Sequence, residues 1–254
     1  MEHWADLPSR IRPTTRILLD LLSAADIRAT FFVVGWIAER YPDVVHDVIA
    51  AGHEIGSHGN LHRRAFELGR EPFLEDVRAS VLALRSAGAG DVTLFRAPEW
   101  SINDRSRWAL DVLAREGFAL DASMAPVRIV GSPSYRRYPH IRHTEHGTIV
   151  EVPPLVSDRF GQAFPIGWGW GLRMSSPSRL LHVIERVNAQ GIPAVLMIHP
   201  WELDPRPPRV RLSARLQFAH YYCLSGFSGR LRQLLSGATF GPIGAVATTV
   251  SAPE

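Results

Sequence analysis

Cys223 is the single cysteine among 254 residues, so no internal disulfide can form and no C-x-x-C metal site exists. A metal, if one is held, must sit on histidine and carboxylate ligands. Basic blocks are also missing: the net charge of +3 and the pI near 9.5 come from scattered arginines, which argues against a nucleic-acid-binding tail. No apolar run approaches the ~18 residues that a membrane span needs. Met1 to Arg12 is polar and lacks the apolar stretch of a targeting signal. These absences point to a cytoplasmic protein with no membrane span and no nucleic-acid partner. Apolar residues make up 46% of the chain, enough for a sizeable core, and one domain over residues 1–254 is the simplest partition.

What is present is an alternation of two hydrophobic periods. Pro13 to Ala24 carries Ile17, Leu18, Leu21 and Leu22 at helical spacing, with Pro13 suited to a first turn. Ala29 to Val34 is a continuous β-branched and aromatic run stopped by Gly35, the pattern of a strand buried on both faces. Pro42 opens a second helix that stops at Gly52, and His53 to Ser57 reads as the next strand. The series continues through helix 72–85, strand 92–96, helix 104–116 and strand 118–121. Strands alternating with helices imply βαβ units and a parallel sheet, a barrel or a doubly wound fold, and both collect functional residues at C-terminal strand ends.

Pro126 to Gly147 reads as a long surface excursion with solvated His140, His143 and His146, and Thr148 to Val152 as a strand. Phe160 to Gly171 reads as a loop whose Trp168 and Trp170 either stack on sugar faces or cover a barrel mouth. Ser178 to Asn188 follows as a helix, then Ala194 to Ile198 as a buried strand ending at His199. Two helices broken around Ser225-Gly226 and a last strand near Gly244 to Thr248 complete the chain.

Within His53-Glu-Ile-Gly-Ser-His-Gly-Asn-Leu-His62, His58 and His62 stand four residues apart. On a helical turn they would share a face and could share a metal. A strand-to-loop exit with solvated imidazoles is the other reading of the same spacing. His58, Arg96, Asp121 and His199 all lie at or just past expected strand ends. Trp100 and Trp201 are candidate apolar walls for a pyranose ring, with core packing the rival role.

Taken in order, these residues resemble the polysaccharide deacetylase family, the NodB-homology carbohydrate esterases. Its H-[ST]-x-x-H motif appears as His58-Gly59-Asn60-Leu61-His62, with Gly59 in place of Ser/Thr. R-x-x-P is approximated by Arg96-Ala97-Pro98, and L-x-H by Met197-Ile198-His199. Ile198-His-Pro-Trp-Glu-Leu-Asp-Pro205 and Phe218-Ala-His-Tyr221 look like the subgroup encoded with exosortase-linked exopolysaccharide clusters. One departure stands out: the family's acidic pair at the end of a first strand has no counterpart, since no apolar strand precedes Glu2 or Asp6. Trp4 to Arg10 looks like the interior of a longer relative.

The resemblance implies an α/β fold, a distorted (β/α) barrel of the NodB-homology type, open because its first strand is missing, with 200–254 a subgroup-specific C-terminal extension. It implies a metal-dependent hydrolase that removes N-acetyl groups from a polysaccharide in exopolysaccharide metabolism, with a divalent ion, Zn²⁺ by preference. His58 and His62 are the implied metal ligands and His199 the acid for the leaving amine. Arg96 is the implied partner of the missing base, and Asp121 the group that tunes His199. Two alternatives stay open: a truncated or non-catalytic relative acting as a carbohydrate-binding module, and a hydrolase of a small amide.

Overall fold

The computed structural model describes residues 9–159, 161–208 and 213–250. Helix α1 (Ile11–Ala24) leads to strand β1 (Thr30–Val33), and α2 (Gly35–Arg40) with α3 (Pro42–Ala50) to β2 (Glu54–Ser57). Next come α4 (Ala65–Leu68), α5 (Arg70–Ser86), β3 (Leu94–Phe95), α6 (Trp108–Arg115) and β4 (Leu120–Asp121). β5 (His140–Thr144) and β6 (Gly147–Glu151) follow, then a hairpin of β7 (Val156–Arg159) and β8 (Gln162–Pro165). The chain continues through α7 (Gly169–Met174), α8 (Pro177–Asn188), α9 (Ala214–Tyr221), α10 (Phe227–Leu235) and α11 (Gly244–Ala247). The motif segment Trp4 to Asp6, with Glu2, lies outside the described residues.

The six strands of the main sheet run in the order β1-β2-β3-β4-β6-β5, parallel except for β5, which pairs antiparallel with β6. Strand alternation gives the sheet two faces. Phe31, Val33, Ile55, Phe95 and Ile149 turn toward the helices, where Val77 and Leu84 of α5 are fully buried. Phe95 meets Phe73 and Phe118 edge-on at centroid distances of 5.7 and 5.6 Å. Each such side chain contributes roughly 1.5–3 kcal/mol by leaving water. Phe32, Leu94, Leu120 and Val150 turn to the opposite face, the barrel interior.

Among the described residues the sheet does not close. Ala29 and Val33 carbonyls accept from Glu54 and His58 of the β2 side, so Thr30 and Phe32 face the other edge, where no strand of the described residues pairs. Across the gap, the 194–198 segment bonds backbone to backbone on its far side, with Leu155 N–H donating to Val195 and Met197 N–H to Gly167. Between the two edges lies a trough of about 640 Å³ lined by Thr30, Phe32, Arg96, Leu196 and Ile198 among others. Over the described residues the sheet is open, as expected.

Several sequence expectations need correction. β1 is half-buried throughout, because one edge faces the trough. Ala194 to Ile198 is an extended segment with a single bridge, Trp168 to Met197, and is half-buried apart from Val195. The supposed loop after residue 160 contains β8 and α7, and the excursion before Gly147 contains β5. Gly244 to Thr248 is no strand: it coils into α11, with Ile243 N–H donating to Thr30 Oγ1 (2.8 Å) and Gly244 N–H to Glu54 Oε2 (3.0 Å). Val246 and Ala247 then pack against the interior cluster of Leu94, Leu120 and Val152. Among the described residues, no helix is long and apolar enough to cross a membrane.

Candidate active site

His58 and His62 do come together, with ring centroids 5.0 Å apart, but through a loop and not a helical turn. Gly59 (φ +70°) and His62 (φ +53°) curl the backbone into the left-handed region. Asp76 of α5 anchors the loop by accepting from Asn60 N–H (2.7 Å) and Leu61 N–H (3.2 Å). The Gly59 departure now has a physical reason: a Cβ here would lie 2.8 Å from Asp76 Oδ2, at a φ that costs an L-residue about 1–2 kcal/mol.

His58 Nδ1 lies 2.6 Å from the Arg96 carbonyl, which can only accept. Nδ1 therefore carries the proton and Nε2 keeps its lone pair, the tautomer of a metal ligand held by an outer partner. Burial, and then the neighbouring His62, push the His58 pKa down to about 3; burial also lowers that of His62. Two neutral imidazoles fit two of the three protein ligands of a catalytic zinc site. Among the described residues, no group of three His, Cys, Asp or Glu side chains is placed to hold an ion. Glu99 acts electrostatically on His62, yet its carboxylate is paired with Arg64 at 2.5 Å on the exposed rim.

Arg96, just beyond β3, is 6% exposed and forms part of the trough wall. Its Nε donates to the Ala122 carbonyl (3.0 Å), and its guanidinium lies over the Phe32 and Trp100 rings at 4.6 and 5.2 Å. Among the described residues no carboxylate forms an ion pair with it. Burial brings its pKa down to about 10, which leaves it a cation at neutral pH.

Asp121 is not the partner of His199. In register it lies beside Phe95 and Glu151, on the helix-covered face, while the adjacent Leu120 points into the barrel. There it accepts from Ser123 Oγ and shares a fully buried pocket with Glu151, whose Oε1 accepts from Met124 N–H at 3.0 Å. Burial, then Asp121, hold the Glu151 pKa well above the ordinary carboxylate value; burial raises that of Asp121 as well. The native pair thus keeps a proton that the unfolded chain releases, and stability falls as pH rises from the unfolded carboxylate pKa to the raised native one. Glu151→Gln should abolish that fall, which amounts to at most about 1.4 kcal/mol per pH unit. Urea unfolding of both proteins at pH 5 and pH 8 measures it; a difference between them that is the same at both pH values would refute the shared proton.

His199 follows the 194–198 segment and acts electrostatically on both His58 and His62. The carboxylate beside it is Glu202, in a short 3-10 turn, Pro200–Leu203: Oε2 accepts from His199 N–H (2.8 Å) and lies 3.3 Å from Nδ1. Trp201 stacks on His199 at a centroid distance of 5.5 Å and is half-buried. Trp100, by contrast, is 6% exposed and packs on Trp168 (4.9 Å), Ala125, Val127 and Val156, so it is core and not an open sugar wall. His140 is buried with Nδ1 beside the Tyr138 carbonyl, whereas His143 and His146 are exposed.

Four of the seven expected residues, His58, His62, Arg96 and His199, thus gather at the C-terminal strand ends, with Trp201 alongside. Glu202 escaped the sequence reading, although His199-Pro-Trp-Glu202 carries a local signal for it, a proline at the first position of a turn and a glutamate at the third.

The family described as "Polysaccharide deacetylase" matches residues 4–117, and the family described as "Domain of unknown function (DUF3473)" matches residues 122–248. Chitin deacetylase 1 of Saccharomyces cerevisiae is 33% identical over 95 residues, 37% of this chain and 31% of that protein. A peptidoglycan-N-acetylglucosamine deacetylase of Bacillus cereus is 34% identical over 87 residues, 34% of this chain and 40% of that protein. The chain therefore spans well under half the length of these relatives. A family 4 carbohydrate esterase from Streptomyces lividans, solved in complex with acetate, shares the fold with a TM-score of 0.54 at 19% identity, over 98% of this chain and 94% of that one.

Proposed function

Because the chain belongs to the polysaccharide deacetylase (NodB, carbohydrate esterase family 4) family, we propose that it hydrolyses the N-acetyl amide of a polysaccharide, a non-peptide carbon–nitrogen bond, in exopolysaccharide metabolism. The observation that carries this reading is the His58–His62 pair, with His58 fixed as a lone-pair donor by the Arg96 carbonyl and His199 nearby. Family 4 esterases are generally dependent on a divalent metal, and His58 and His62 would hold it, Zn²⁺ suiting paired imidazoles. When bound, such an ion polarises a carbonyl and brings the pKa of a water toward ~7.

The remaining roles belong to the chain itself. Arg96 presents a buried positive charge to the trough and would orient an acidic group placed there. His199 would donate its Nε2 proton to the amine nitrogen as the C–N bond breaks and acetate leaves. Trp201 offers a half-buried ring beside that acid, a face on which a sugar could rest. His199→Ala in the acetate-releasing form should lower turnover by about 10²–10⁴-fold and leave zinc content unchanged. N-acetylglucosamine oligomers are the substrate for this assay. Oligomer binding without any acetate release, even after a strand ending in an acidic pair is added ahead of α1, would make the chain a carbohydrate-binding module instead.

A further inference from the structure

Arg173 of α7 and Glu202 form an ion pair whose side chains are both 0% exposed, with Arg173 Nε 3.0 Å from Glu202 Oε1. The contact has ion-pair distance without hydrogen-bond alignment. The other guanidinium nitrogens donate to the backbone: Nη1 to the His220 carbonyl at 2.8 Å and Nη2 to that of Ala219. The guanidinium also lies 5.5 Å from the Trp201 ring. Taking two charges out of water costs several kcal/mol per ion, and a purely structural bridge would be replaceable by apolar packing. What separates this pair from a structural bridge is its other end. Glu202 Oε2 faces His199 twice, through the backbone N–H and through Nδ1.

We propose that Arg173 and Glu202 are positioning residues for His199, fixing its tautomer and ring orientation so that Nε2 faces the reacting amide. The inference rests on the deacetylase reading. An ionised carboxylate only accepts, so the proton of neutral His199 is held on Nδ1 and the Nε2 lone pair is free. Once Nε2 is protonated, the same carboxylate stabilises the imidazolium until the proton passes to the leaving nitrogen. Arg173 sets its positive charge against Glu202 on the side away from His199, and by gripping the Ala219 and His220 carbonyls it ties the end of α9 to the same centre. The charged and titratable groups around His199 are then Glu202 and Arg173 behind it, His220 beside Trp201, and His58 and His62 across the site.

The test removes both charges together, since either single change leaves a buried ion unpaired. Arg173→Met with Glu202→Leu keeps volume and should fold. Long-range ¹⁵N–¹H NMR of the full chain reads the neutral tautomer of His199, expected as Nδ1–H in the wild type and as a mixture dominated by Nε2–H in the double variant. In the chain extended by a strand ending in an acidic pair ahead of α1, acetate release should fall about tenfold to a hundredfold in kcat on making the double variant, with KM and zinc content unchanged. Glu202→Asp, which keeps the charge and withdraws it by one methylene, should retain the Nδ1–H tautomer and recover part of the rate. An unchanged tautomer in the double variant would overturn the proposal, as would a loss carried by KM or by zinc content. A wild type so extended that still releases no acetate overturns the deacetylase reading alone, and the tautomer result then decides this one.

Discussion

Residues 1–254 should take up Zn²⁺ weakly and release little acetate from N-acetylglucosamine oligomers, whereas the same chain given an extended strand ending in an acidic pair ahead of α1 should gain both properties. The described residues supply two neutral imidazoles and no third ligand, and a water without a base is a poor nucleophile. The place for the missing group is set by shape and charge. Thr30 and Phe32 on one side and Leu196 and Ile198 on the other line a trough of about 640 Å³, and the Arg96 guanidinium lies in its wall. One strand would satisfy both edges, and a carboxylate at its C-terminal end would meet that buried cation. The rate gain should be about 10²–10⁴-fold, with zinc affinity rising in parallel, read by acetate release and by calorimetry. Full activity and tight zinc binding without the added strand would sink the expectation. Glu99, the carboxylate already acting on His62, would then be the first residue to substitute.

The second large effect is on stability. Arg173→Met alone should destabilise the fold by about 3–5 kcal/mol, because it strands the Glu202 carboxylate where its side chain has no exposed surface and frees the Ala219 and His220 carbonyls. Adding Glu202→Leu should return most of that loss. Breaking Arg12–Asp43, whose nitrogen and oxygen are closer at 2.6 Å, should cost far less, since both side chains are half exposed to water, which screens their attraction. Urea unfolding of the three variants measures the contrast. A cost for Arg173→Met as small as for the exposed pair would mean that Glu202 is protonated or solvated when its partner is gone.

Much of this was legible before any coordinates. Helix α1 and the break between α9 and α10 follow from apolar spacing with Pro13 and from Ser225-Gly226, and helix α8 lies where 178–188 was expected, because these are local choices made within one or two turns. His58, Arg96 and His199 could be singled out because each ends an apolar run, and a βα architecture gathers such ends. Asp121 shows the limit of that rule: a strand end has two faces, and period-two alternation puts Asp121 with Phe95 and Glu151, away from His199. Reading Leu120 as interior would have predicted this.

Local sequence determined the order of elements, the strand-end residues and the turn that brings Glu202 back to His199, because helix spacing, turn residues and capping act within a few positions. Tertiary structure decided the rest. Gly244 to Thr248 has the composition of a strand but coils, because Thr30 takes the N–H of the preceding Ile243, Glu54 takes that of Gly244, and the barrel interior takes Val246. Trp100 became core because Trp168, 68 positions later, covers it. Arg173 carries no local sign of its role: its partner lies 29 residues on, and only the folding of α7 against the Pro200–Leu203 turn takes both charges out of water and makes the pair matter.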